Sequence, residues 1–252
     1  MADSMSRALD IAHRQYGVIT RAQALAAGVH RRSIDRLVGS GRWEIVARAV
    51  YRVSGSPRSW EQRALALVLS AGDEAVVSHR SAAHLYGLDG FGPTGRIDVT
   101  TSRHRRHTIV GATVHETTDP HLLSQRTRRG VPVTGPARTV LDVCWVVDDD
   151  LTALRALDEM LRHRLVTWEE LWQCLVVHAR RGRNGVARYR RILVKRWGKR
   201  SPHGELEDPV RENRLKLAGW LVLRYTWSRL IDEPNAIVDE VRDALLSRSC
   251  AA

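Results

Sequence analysis

Residues 16–53 constrain the fold most, because in one unbroken run they read as two short helices, a tight turn and a β-ribbon. Thr20 suits an N-cap, its hydroxyl able to accept from an orphan amide of the next turn, and the helix it opens carries Ala22, Leu25 and Ala26 on one face. Gly28 ends that helix. After a turn at Val29 and His30, a second helix sets Ile34, Leu37 and Val38 inward and leaves Arg31, Arg32, Asp35 and Arg36 outside. Gly39, Ser40 and Gly41 break it, and two β-rich runs follow, 43–46 and 49–53, with Ala47 and Arg48 as the turn between them. Arg42, Arg48 and Arg52 make this ribbon basic. Helix, turn, helix and basic ribbon in that order are the parts of a winged helix-turn-helix, and the arginines of its second helix are what a DNA groove would meet.

A net charge of +12 over 252 residues calls for an anionic partner, of which nucleic acid is the first expectation. Arginine outnumbers lysine, which suits bidentate phosphate and guanine contacts, although a GC-rich genome gives the same bias. Cys144, Cys174 and Cys250 are odd in number and far apart, so neither a disulfide framework nor a paired-cysteine zinc site is offered. No apolar run approaches the ~20 residues that span a bilayer, and residues 1–7 lack the apolar segment of a signal peptide. These features predict a cytoplasmic protein with no membrane partner and no cofactor.

The remainder reads as mixed α and β. Residues 4–15 form an amphipathic helix with Leu9, Ile11 and Ala12 available to complete a three-helix core. Ser59 caps a helix over 60–70, and Ser78 one over 79–88. Ser81 and His84 stand one turn apart in that second helix, but with no evident orienter they read as packed residues, not as a nucleophile and its base. Strands are expected at 96–101 and 109–115 around a cationic loop whose His104 and His107 are flanked by arginines that disfavour a metal. Pro136 suits the first turn of a helix, Asp148, Asp149 and Asp150 the positive start of another, and Thr167 with Glu170 a capping box. Residues 180–200 are nearly half lysine and arginine, with Val186, Tyr189, Ile192, Leu193 and Trp197 on one side of a helix and the arginines outward.

Three blocks carry a family likeness: YGVITRAQALAAGV with RSIDRLVGSGRWEIVARAVYRV, VSHRSAAHLYGL, and PVTGPARTVLDV. Together they resemble the AbiEi-type antitoxins of actinobacteria, which join a winged helix to a small α/β domain. The resemblance implies a transcriptional repressor that binds its own operon, with a nucleotidyltransferase-like toxin as partner. On that likeness Thr20, Arg31, Arg32, Ser33 and Arg36 fall in the DNA-contacting helix-turn-helix and Arg48 in the wing.

The tail is similar to something else. Glu205, Leu206 and Glu207, and then residues 211–227, resemble the two ends of a very-short-patch-repair-like endonuclease domain of the PD-(D/E)XK class. Such nucleases hold Mg²⁺ on carboxylates from adjacent strands. Only eleven residues lie between Glu207 and Gly219, too few at ~3.4 Å per strand residue for the missing hairpin and helix. The expectation is therefore an α+β chain in four segments: a winged helix-turn-helix at 1–54, a small α/β domain at 55–147, a basic helical segment at 148–200, and a truncated nuclease-like remnant at 201–252. DNA and a cognate nucleotidyltransferase-like toxin are its expected partners, and catalytic or metal residues are not expected. A Mg²⁺-dependent endonuclease completed by a rearranged or oligomeric site is the competing expectation.

Overall fold

A computed structural model describes residues 2–102, 108–179, 184–197, 223, 229 and 233–249. The chain divides into two units, Met1–Tyr189 and Arg190–Ala252. The first begins with helix α1 (Ala2–Arg14), strand β1 (Val18–Thr20), helices α2 (Arg21–Ala26) and α3 (Arg31–Gly39), and strands β2 (Trp43–Ala47) and β3 (Val50–Val53). The strands form an antiparallel sheet in the order β1-β3-β2. This is the element order of a winged helix.

Strand β1 was not anticipated, since its three residues are too few to show a period. It adds Ile19 to a core built by Ala8, Ala12, Ala24, Ala27, Val29, Ile34, Leu37, Trp43 and Tyr51, and its neighbour Val18 is buried outside that cluster. The buried face of α2 is thus Ala24 and Ala27 with Leu25 partly inside, whereas Ala22 and Ala26 are exposed. A six-residue helix has too few turns for periodicity to fix its rotation, which its caps and neighbours set instead. On α1 likewise Ala8 and Ala12 face inward at i, i+4 spacing, and Leu9 is outside. On α3, Ile34 and Leu37 are buried and Val38 half-buried, as its spacing predicts. A bulge between Ile45 and Ala47 moves the turn of the ribbon to Arg48 and Ala49, the latter at φ 58.

Helix α4 (Trp60–Ala71) touches strands of both sheets in this unit, so it is buried nearly all round instead of along one stripe. Ser59 caps it by accepting from the amide of Gln62 at 3.0 Å. At Gly17, φ is +81 and an added Cβ would lie 2.1 Å from Ser56 Oγ, so the turn from α1 into β1, set against the link between β3 and α4, requires glycine.

The second sheet has the order β6-β5-β4-β8-β7, from β4 (Val76–Val77), β5 (Ile97–Ser102), β6 (Ala112–Thr117), β7 (Arg126–Arg128) and β8 (Val131–Val133). Strand pairs β5/β6 and β4/β8 are parallel, and β4/β5 and β7/β8 antiparallel. Helices α5 (His79–Tyr86) and α6 (Pro136–Val146) pack on each other, and α7 (Asp150–Arg162) and α8 (Trp168–His178) pack on α6. The Thr167–Glu170 capping box forms as expected, each residue's amide donating to the other's side chain at 2.7 and 3.2 Å.

Helix α9 (Val186–Trp197) buries Val186, Tyr189, Ile192 and Leu193, the expected apolar side. Arg188 departs from the expected outward face: its guanidinium donates to Asp150 at 3.1 Å and to the carbonyls of Cys144 (2.9 Å), Asp148 (3.1 Å) and Val147. The carbonyls at the C-terminal end of α6 and in the link to α7 need donors, and an arginine fork supplies them. In the second unit the last helix, α10 (Pro234–Ser249), carries Glu240, which accepts from Arg229 at 3.3 Å. Residues 103–107, including His104 and His107, and the nuclease-like segments at 205–207 and 211–227, apart from Leu223, lie outside the described residues.

Candidate nucleic-acid interface

The helix-turn-helix is locked at both helix starts. Thr20 Oγ1 accepts from the amide of Gln23 at 3.0 Å, and Gln23 Oε1 accepts from the amide of Thr20 at 2.9 Å. Gly28, at φ +90, makes the turn, and the amide of Val29 donates to the carbonyl of Ala24 at 3.0 Å. The His30 ring then caps α3 by accepting from the amide of Arg32 at 3.3 Å. With Ile34 and Leu37 anchored inside, Arg31, Arg32, Asp35 and Arg36 are exposed, and Ser33 and Thr20 are half-buried. Arg48 is exposed at the turn of the wing and Arg42 at its base. Among the described residues none of Arg31, Arg32, Arg36, Arg42 and Arg48 forms an ion pair, so five guanidinium groups face solvent around one helix and its wing.

Arg52 does not join them. It is 6% exposed and pairs with Glu44 across the ribbon, where the register sets the two opposite each other. Its alternation position in β3 points it to the side where Glu44 waits, which a count of basic residues along the ribbon does not reveal. Arg21, which composition did not single out, donates through Nη1 to Asp35 at 2.9 Å and to the Tyr51 hydroxyl at 3.0 Å. The bond to Asp35, then that to Tyr51, holds its charge more firmly than in free arginine.

A second polar group lies inside the five-stranded sheet and its helices. Ser78 occupies the N-cap position of α5, but its hydroxyl makes no cap bond. It accepts from Thr100 Oγ1 at 2.8 Å and lies 2.8 Å from His79 Nδ1. His79, at φ 51 and 1% exposed, stacks on His115, whose Nε2 donates to Asp98 at 2.9 Å. The Trp145 ring meets both imidazoles edge-on. Ser81 accepts from the Asp98 amide at 2.9 Å, while His84 turns to the Phe91 carbonyl at 3.1 Å and the Trp60 ring. The two are therefore parts of separate contacts, as a packed helix requires, and Asp98 is the acid beside Ser81 that sequence spacing could not bring there. Of the three consecutive aspartates, Asp149 caps α7 by accepting from Thr152 at 2.8 Å and Asp150 pairs with Arg188. Among the described residues no group of three His, Cys, Asp or Glu could hold a metal ion, and no helix is long and apolar enough to cross a membrane.

Comparison with known proteins bears on both halves of the unit. Residues 6–54 match the family described as transcriptional regulator, AbiEi antitoxin, and residues 75–194 the family described as AbiEi antitoxin C-terminal domain. No curated protein matches the chain. Among solved structures, the chain is similar to the RV2827C protein from Mycobacterium tuberculosis, at 19% identity and a TM-score of 0.47 over 88% of this chain and 83% of that one. The helix-turn-helix and the sheet-and-helix region that follows it in the chain thus fall in two separately matched regions, each similar to an AbiEi antitoxin family.

Proposed function

We propose that the protein is a DNA-binding transcriptional regulator of the AbiEi antitoxin type. The observation that carries this reading is the set of unpaired arginines: Arg31, Arg32 and Arg36 on α3 and Arg48 on the wing, held outward by a buried apolar face and two capped helix starts. In the proposed complex α3 enters the major groove, Arg31 and Arg36 reach base edges, and Thr20, Arg32, Ser33 and Arg48 contact the backbone. Repression then follows from occupancy, with no reaction catalysed.

The finer parts of the reading rest on sequence likeness. A nucleotidyltransferase-like toxin is the proposed cognate partner, and residues 201–252 the proposed remnant of a nuclease-like domain without its catalytic carboxylates. Segment 1–54 would read DNA, with 55–147 as its α/β platform and 148–200 as a basic helical extension. Gel shifts of the protein against the DNA upstream of its own gene test the central claim. Retardation that survives competitor DNA is expected, and its absence at low salt sinks the reading. A plasmid-nicking assay with Mg²⁺ is expected to show no more cleavage than a Glu207→Ala control.

A further inference from the structure

Arg21 is the first residue of α2 and meets three other elements of the winged helix. Its amide donates at 2.8 Å to the carbonyl of Ala49, in the turn of the wing. Its Nη1 carries two protons, and one is directed to Asp35 of α3 and the other to the hydroxyl of Tyr51 in β3. Tyr51 is itself fixed, buried with its ring 5.7 Å from that of Trp43. The wing turn, the sheet and the second helix are therefore joined through one side chain and its own backbone.

Asp35 has a particular need of this bond. Its side chain is 62% exposed, on the same face as Arg31, Arg32 and Arg36. A bare carboxylate there would face the phosphates of any duplex lying on α3, and paired with Arg21 it presents no net charge. A planar guanidinium can satisfy the carboxylate and the phenol together in one fixed orientation.

We propose that Arg21 is the positioning residue of the DNA-reading face: through Asp35, Tyr51 and Ala49 it holds α3 at a set angle to the wing and masks the Asp35 charge, so that both elements engage one duplex in register. This rests on the DNA-binding reading above. The test is to select a preferred duplex from a random pool with the wild-type chain. Affinities for that duplex and for mixed-sequence DNA are then measured for wild type, Arg21→Ala, Arg21→Ala with Asp35→Asn, and Tyr51→Phe, with thermal unfolding of each.

Arg21→Ala is expected to lose about tenfold on the selected duplex and much less on mixed-sequence DNA, so that specificity falls and not only affinity. Adding Asp35→Asn should recover affinity for both DNAs, because the unmasked charge is gone, without recovering specificity. A folded Arg21→Ala chain with wild-type specificity overturns the proposal. If that variant does not fold, Tyr51→Phe decides, since it removes a single hydroxyl: lowered specificity supports the proposal and unchanged specificity overturns it. If the wild-type chain enriches no sequence, the DNA-reading function itself fails, and the proposal with it.

Discussion

The imidazoles of His79 and His115 lie face to face, with ring centroids 3.6 Å apart and planes within 18° of parallel. Two cations cannot share that spacing inside a protein, so the stack requires at least one neutral ring. Burial keeps His79 neutral, lowering it from its ordinary 6.5 to about 4 against the weaker upward pull of Asp142.

This sets an acid limit on folding. Because the folded value lies below the unfolded one, the unfolded chain binds the extra proton as pH falls below about 6.5. The contribution of His79 is full above that pH and is lost progressively as pH falls through about 4, about 3 kcal/mol in all. Urea unfolding from pH 7.5 down to 4 measures it. His79→Asn should be less stable at pH 7.5 but have a shallower acid limb, and an unchanged limb would remove His79 as its cause.

Arg138 and Asp142 form an i, i+4 pair in α6, 2.7 Å apart with side chains 10% and 4% exposed. Removing either leaves a buried charge, so Arg138→Met or Asp142→Leu alone should cost about 3–5 kcal/mol. The double substitution should come back to within about 1–2 kcal/mol of wild type, since both desolvated charges are gone. Denaturant titration of the three variants makes a double-mutant cycle whose coupling should be strongly favourable.

On DNA, Arg31→Ala and Arg36→Ala should each lose about 1–3 kcal/mol on the preferred sequence if the arginine reads a guanine. Arg48→Ala should weaken all sequences alike and lower the salt slope by about 1, as the loss of one phosphate contact does. Arg52→Ala should leave the salt slope unchanged, because Arg52 is already buried against Glu44. Fluorescence anisotropy at several salt concentrations separates the three cases.

Gly17 tests the contact between the α1–β1 turn and Ser56 of the link from β3 to α4. Gly17→Ala meets both a positive φ and Ser56 Oγ, and should destabilise by about 1–3 kcal/mol or more. Ser56→Gly in the same chain should restore the steric part and leave about 1–2 kcal/mol of backbone strain. Thermal melts of the single and double variants read the two parts separately.

Much of the winged helix was legible in the chain because its signals are local. The N-cap at Thr20, the stop at Gly28, the inward set Ile34, Leu37 and Val38, and the capping box at Thr167 each depend on residues within one or two turns. The rotation of α2 was not legible, nor was β1, because six and three residues carry too little periodicity and take their placement from neighbours.

What the sequence determined by itself was where helices start and stop, which face of α3 is apolar, and that the surface would be rich in cations. Which of those cations are free was decided only in three dimensions. Arg31, Arg36 and Arg48 look like Arg21, Arg52, Arg138 and Arg188 along the chain, yet the second set is spent on Asp35, Glu44, Asp142 and Asp150. Three of these four pairs join residues 8 to 38 positions apart. A charge's partner is fixed by register and by which elements meet across the core, so the tertiary structure divided the arginines into those that hold the fold and those left to meet a ligand.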